Sequence, residues 1–484
     1  MSFDLRSIAV STVPMRTRMP FRYGIAKLEA LPHIFVKATL EDNASGAVTE
    51  GVAAEGLLPK WFEKHPDTTA EQDLANMHRV IVQAGKFALE IGSFEDAFTF
   101  WKDIYDAQES WAADRDLEAL LWHFGVSLTE RAVIDALCRH WGTPFHQAVA
   151  ENLFGIDIAS IHPHIERDAA ETVLRQTPLD TIHARHTVGL SDAILAEDVE
   201  DQMNDGLPES LEEDIETYGL TYFKIKVRGD VEVDVERLRR IAGLFRSMDV
   251  TDYQFTLDGN EQFHDVGTFE TFWSNIRSDE ELSSFFERLL FVEQPFSRKI
   301  ALSDELARDL TAWDDAPPMI IDESDGDLEA LPRALEGGWA GTSHKNCKGV
   351  FKGIINRAYI EDANRKAGRE RYFMSGEDLV NIGPVALLQD LAAMAKLGIS
   401  HVERNGHHYF RGLAMFSDAL QEDMLEHHGD LYHRHADGYA ALDVQQGRID
   451  VGSLNRAPFG VDIIPQESEY VPIEEWECPP IPDL

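Results

Sequence analysis

Two lysines alternate along one short apolar run of this 484-residue chain, Lys224 and Lys226 in the text FKIKV. Alternation along a strand puts Phe223, Ile225 and Val227 on one face and both lysines on the other. If helices cover the apolar face, the lysines turn inward, where an unpaired ammonium is costly and calls for carboxylates or a bound anion close by. Two like charges in a desolvated place lower each other's pKa, a route by which lysine becomes a base near neutral pH. The same text also suits an edge strand with both lysines in water.

Three carboxylates bear on that choice. Asp258 in FTLDGN, Glu293 in FVEQPF and Asp322 in IIDES each end an apolar run. Gathered at one point they would repel unless a divalent cation held them, and an all-oxygen donor set with open positions suits Mg2+. Taken singly, each also reads as a helix cap or a solvated loop residue. Glu323 directly follows Asp322, so it faces away from it or stands behind it. Lys345 ends the run GTSHK, with Lys348 and Lys352 read as solvated beyond it and His344 as packed between strand and helix. The segment ERNGHHYFRG adds Glu403, His407, His408 and Tyr409. Glu403 is placed to hydrogen-bond an enolic oxygen, while the two histidines suit packing as well as ligand binding. The HRH at 433–435 reads as surface or interdomain text. Arg16, Arg18 and Arg22 crowd an early segment, which fits either a polar, anionic acid substrate or a solvated basic patch.

The elements that must position these residues are legible as periodicity. Up to about Leu58, short apolar runs separated by turn residues predict antiparallel strands. From about Glu71 to Phe154, apolar residues recur at helical spacing and the runs close on Gly or Gly-Thr-Pro. Beyond about His183, β-type and helical runs alternate: ARHTVGL, then 220–227, 253–258, 289–293, 319–322, 341–345, 371–376 and 399–403. Eight strands alternating with helices over about 240 residues predict an α/β fold of the TIM type, in which strand C-termini meet at one mouth. The divisions are an α+β unit at 1–155, a linker at 156–182, the barrel at 183–436 and a segment at 437–484. Pro465 to Leu484 reads as an extended tail on the surface.

Composition sets outer limits. With 44% hydrophobic and 27% charged residues, the chain can bury a large core. The 86 Asp and Glu against 44 Lys and Arg give a net charge of -42, which argues against nucleic acid and anionic membrane partners. Cys138, Cys347 and Cys478 are too scattered for a disulfide framework, so a reducing cytoplasm is expected. The opening MSFDLRSIAV lacks the cationic and apolar regions of a leader, and no run approaches the roughly 18 apolar residues of a membrane span.

Taken together, K-x-K, a strand-end Asp, Glu in VEQP, D-E-S and a sixth-strand lysine resemble the enolase superfamily. Within it they resemble the muconate lactonizing enzyme side of the mandelate racemase/muconate lactonizing enzyme family. The closing VGSLNRAPFGVD resembles the family's return from barrel to cap, so the resemblance implies a capping domain completed by the C-terminal segment. It implies Asp258, Glu293 and Asp322 as Mg2+ ligands, Lys226 and Lys345 as the acid/base pair, and Lys224 as the companion that tunes Lys226. Asn260 fits the family's D-x-N. The sixth-strand text departs from the family, with His344 before the lysine and only Gly349 after it.

The implied chemistry is removal of the proton alpha to a carboxylate through a metal-stabilised enediolate, from a small carboxylic acid substrate, in a homo-oligomer. Elimination from, or racemisation or epimerisation of, a hydroxy or sugar-like acid would follow. Cycloisomerisation, or epimerisation of a dipeptide or N-acyl amino acid, is the alternative within the family. The resemblance also implies specificity loops at about 15–27 and 56–64. Outside the family, a metal-dependent hydrolase would want H-x-H on the first strand, whereas His183-Ala-Arg-His186 has another spacing. A non-catalytic acidic scaffold on the same fold is the remaining rival.

Overall fold

The computed structural model describes residues 2–23, 26–466 and 470–472, apart from the side chains of 22, 23 and 26–28. The chain begins with an antiparallel sheet of β1 (Phe3–Tyr23), β2 (Ala26–Asp42) and β3 (Val48–Gly56). Three helices follow: α1 (Ala70–Ile91), α2 (Ala97–Ala113) and α3 (Ala119–Trp141). Thr69 starts α1 with a capping box to Gln72, and Asp96 caps α2 through Thr99 N. Helix α3 is buried along nearly its whole length, as a helix apolar on most sides must be. It passes so close to β3 that a Cβ on Gly51 would sit 2.1 Å from Ala136 N, a clash with backbone.

Eight parallel strands then close into a barrel: β4 (Thr181–Val188), β5 (Tyr222–Lys226), β6 (Gln254–Asp258), β7 (Leu289–Glu293), β8 (Met319–Ile321), β9 (Gly341–His344), β10 (Phe373–Gly376) and β11 (His401–Arg404). Closure is the pairing of β11 with β4, in which His401 meets His183 and Arg404 meets His186. Helices α4 (Leu211–Tyr218) and α5 (Val231–Ser247) follow the first two strands, and α6 (Val350–Ala367) follows β9. On β5 the alternation is literal, since Phe223 packs outward on Phe245 of α5 at 4.5 Å while both lysines turn inward.

The C-terminal segment returns to the cap. Arg448–Asp450 pairs antiparallel with β4, and Arg139 of α3 donates to the carbonyls of Val461 and Asp462, each at 2.8 Å. Val471 and Pro472 pair with Thr12 and Ser11 of β1. The capping unit is therefore built from both ends of the chain. The expected surface tail lies mostly outside the described residues, as does Cys478.

Candidate active site at the barrel mouth

The C-terminal ends of the strands bring lysines and carboxylates together in a buried layer. Lys224 Nζ donates to Glu293 Oε1 at 2.9 Å, Glu377 Oε2 at 2.8 Å and Glu403 Oε2 at 3.0 Å, and lies 3.0 Å from Asp258 Oδ2. Lys226 donates to the same Asp258 oxygen. On the sixth-strand side, Lys345 Nζ donates to Asp322 Oδ2 at 2.6 Å and Lys348 Nζ to Oδ1 at 2.8 Å. The carboxylates have further fixed donors: Arg185 and the Ser375 hydroxyl on Glu377, and the Thr187 hydroxyl on Glu403 at 2.6 Å.

These pairings decide the protonation states. Burial pulls Lys224 down, but the four carboxylates around it outweigh burial and hold it well above the usual lysine range. Lys345 is raised in the same way, with Asp322 overriding burial. The mutual depression expected of Lys224 and Lys226 is thus reversed at Lys224, because carboxylates and not a second ammonium are its contacts. Burial raises Asp322, yet Lys345, Lys348 and Lys224 prevail and hold it well below the carboxylate range. Glu293 goes the other way, raised by burial and then by Asp258 and Glu377. Glu293 is therefore biased toward its protonated form as the layer stands, with burial and the neighbouring carboxylates outweighing Lys224.

Asn260 and Glu323 also line this mouth. Asn260 holds a left-handed φ of 41° and its N–H donates to Asp258 Oδ1 at 2.9 Å. Glu323 is buried beside Asp322, and burial, Asp322 and Glu261 push its carboxyl up to about 7. The cap supplies the roof. Trp61 lies over Lys345, with Nζ 4.4 Å from the ring centroid. Arg298 fixes that loop by donating to the carbonyls of Trp61 at 2.9 Å and Phe62 at 3.0 Å while gripping Glu261. Lys64 reaches across to the Asn260 carbonyl at 2.9 Å. The space left is about 40 Å3, room for roughly three waters.

Several expectations need correction. Lys348 and Lys352 are not solvated. Lys348 is buried on Asp322, and Lys352 on Asp325 at 2.6 Å, because α6 begins beneath α3 instead of facing water. Arg18 does not face the mouth, since its guanidinium holds Asp205 at 2.7 Å and donates to the carbonyls of Pro208 and His408. Arg16 is exposed on β1, and the side chain of Arg22 lies outside the description. His407 is not with the lysines either. It sits beside His186 and lines a separate cavity of about 200 Å3 with Tyr218 and Arg404. That cavity is roomier than the mouth, but none of Lys224, Lys226, Lys345 and Lys348 lines it, so the mouth is the better candidate for acid/base chemistry. Trp61, Lys348 and Arg298 were missed from sequence. An aromatic between lysines in PKWFEK was the available signal for the first.

Asp258, Glu293 and Asp322 offer only oxygen donors, the set a hard divalent ion prefers. Glu293 Oε2 lies 2.8 Å from Lys224 Nζ but outside hydrogen-bonding direction, so it has capacity left for a cation. The three residues fit Mg2+ by donor chemistry and charge. Lys224 stands between Asp258 and Glu293, while Lys345 and Lys348 draw Asp322 to their own side.

No family model matches the chain, and no curated protein matches it. Solved structures do. A muconate lactonizing enzyme from Mucobacterium Smegmatis, complexed with muconolactone, superposes with a TM-score of 0.56 at 17% identity, covering 96% of this chain and 99% of that one. The likeness is one of fold, a barrel with a capping unit. An enolase from Bradyrhizobium complexed with magnesium and mandelic acid gives 0.55 at 12% identity over 93% of both chains. A dipeptide epimerase from Enterococcus faecalis, complexed with Mg and the dipeptide L-Leu-L-Tyr, gives 0.55 at 15%, covering 84% of this chain and 92% of that one. Among the described residues, no helix is long and apolar enough to cross a membrane.

Proposed function

We propose that the barrel mouth is the active site of an Mg2+-dependent enzyme of the mandelate racemase/muconate lactonizing enzyme family, which removes the proton alpha to a carboxylate. The observation that carries this reading is the placement of Lys226 and Lys345 on the second and sixth strands, with Asp258, Glu293 and Asp322 ending the three strands between. Bound by those three carboxylates, Mg2+ would supply fixed positive charge to the substrate's carboxylate as negative charge builds on it, and would compete with the lysines for the same oxygens.

The chain's own groups do the rest. Lys226 and Lys345 flank the space from opposite sides, so one removes the proton and the other can return one to the opposite face. An ammonium that loses its carboxylate partner titrates lower, the direction a general base requires. Lys224 keeps positive charge beside Lys226, and Glu403, held well below the usual range by Lys224 and Lys226 against the effect of burial, stays an acceptor for a substrate hydroxyl. Trp61 and the Arg298-fixed loop exclude water from Lys345.

The confined mouth favours a small hydroxy or sugar-like acid, which then eliminates or is reprotonated. Cycloisomerisation, or epimerisation of a dipeptide or N-acyl amino acid, is the second reading, favoured by the muconate lactonizing enzyme and dipeptide epimerase among the similar structures. Calorimetric titration with Mg2+ tests the metal reading. One site is expected in the native chain and a loss of at least about tenfold in affinity in Asp258→Asn and Glu293→Gln, whereas no binding to the native chain would leave only a scaffold.

A further inference from the structure

Three imidazoles and a carboxylate are buried together away from the lysine layer. His186 lies on β4, Asp214 in α4, and His407 and His408 in the short turn Gly406–Tyr409 after β11. His186 Nδ1 and His407 Nε2 are 3.1 Å apart, and His186 Nε2 is 3.4 Å from Asp214 Oδ2. One ligand atom from each of His186, Asp214 and His407 lies within 4.8 Å of the others, the one such group of His, Cys, Asp and Glu among the described residues. Asp214 is fully buried and His407 is 6% exposed, yet Asp214 Oδ2 and His407 Nδ1 have no hydrogen bond of proper geometry.

We infer that His186, Asp214 and His407 form a second metal site, selective for a first-row divalent transition ion of the zinc class, with His408 positioning Asp214. The donor set decides the class: imidazole nitrogen suits zinc, cobalt or nickel, whereas the all-oxygen mouth suits magnesium. One nitrogen of His186 would take part, and the three ligand atoms, within 4.8 Å of one another, would draw in to the roughly 3.4 Å separations that metal–nitrogen bonds of about 2.0–2.1 Å impose. Both imidazoles are buried, and the Nδ1 of His407 has no hydrogen bond.

Charge supports the same conclusion. Among the described residues the ion-pair partners of Asp214 are His186 and His408 alone, and the guanidinium of Arg18 is committed to Asp205 at 2.7 Å. His408 Nδ1, hydrogen-bonded to Asp214 Oδ1 at 3.2 Å, is the kind of outer partner that orients a ligating carboxylate. The 200 Å3 cavity lined by His407, Tyr218 and Arg404 reaches this group from one side, giving an entry path and room for water or a small anion as a further ligand.

The experiment is Co2+ titration of chelator-stripped protein in saturating Mg2+, followed by visible absorption. One equivalent with the intense bands of four-coordinate cobalt is expected, displaced by Zn2+, retained in Asp258→Asn, and weakened about 100-fold or more in His407→Gln. His408→Asn should weaken it about 10-fold. X-ray absorption on Zn2+-loaded native protein needs no variant, and should show two imidazole nitrogens in the first shell. An oxygen-only shell, no Co2+ uptake by the native chain, or equal uptake by native and His407→Gln protein would each overturn the site.

Discussion

The barrel mouth and the seam between cap and barrel bury carboxylates equally well, and Asp322 at the mouth and Glu130 at the seam are treated in opposite ways. At the mouth Asp322 meets two ammonium groups and is held well below the usual range, against the effect of burial. At the seam Glu130 of α3 accepts the Phe351 N–H at 2.6 Å, and its Oε2 has no hydrogen bond. Burial pushes it up to about 8 despite nearby Arg131. Glu55, 3.0 Å from Arg131, is likewise pushed to about 7 by burial. Depth of burial thus does not set the charge of an acid here. The balance of cations against neighbouring carboxylates does: Asp322 has two ammonium contacts, whereas Glu55 has one guanidinium with Asp390 and Asp378 nearby.

Removing Lys224 should break this contrast most severely. Lys224→Ala would leave Asp258, Glu293, Glu377 and Glu403 without their shared cation, and should lower stability by about 3–5 kcal/mol in denaturant titration. Added Mg2+ should restore part of that loss.

The seam predicts a pH effect of opposite sign to the mouth. Glu130 titrates higher folded than unfolded, so the folded state holds the extra proton and stability falls as pH rises from about 4.5 to about 8. The loss reaches up to about 1.4 kcal/mol per pH unit from this group. Asp322 is depressed, so its contribution is present above the unfolded pKa and is lost only as pH falls through its lower folded value. Thermal unfolding of Glu130→Gln across pH 5–8 should show a flatter decline than the native chain. An unchanged slope would mean the carboxyl is ionised.

Trp61→Ala is the gentlest change. It removes a ring over the Lys345 ammonium and should cost about 0.5–2 kcal/mol in stability while admitting water. Arg298→Lys is the paired control. It weakens the grip on Glu261 and the loop carbonyls but keeps the indole.

Much of this was legible in the chain. Short apolar runs ending in Lys226, Asp258, Glu293 and Lys345 mark the strands, because period-two alternation survives wherever one face packs on helices and the other faces the barrel interior. What sequence hid depends on partners distant in the chain. Arg18 finds Asp205, 187 residues away, and Lys348 and Lys352 look like solvated lysines until α3 of the cap covers the start of α6. His407 follows Glu403 by four residues, yet the turn after β11 carries it away from the lysine layer to His186. The net charge of -42 is chiefly a surface property, since the mouth pairs its few carboxylates with lysines.

The central claim is that Lys226 and Lys345 exchange a proton alpha to a carboxylate in the presence of Mg2+. NMR of hydroxy acids, acid sugars and dipeptides in D2O, incubated with the native chain and Mg2+, tests it most directly. The account predicts deuterium uptake at the α carbon of at least one acid, lowered by about 10²-fold or more in both Lys226→Ala and Lys345→Ala. Uptake that persists unchanged in both variants would contradict it.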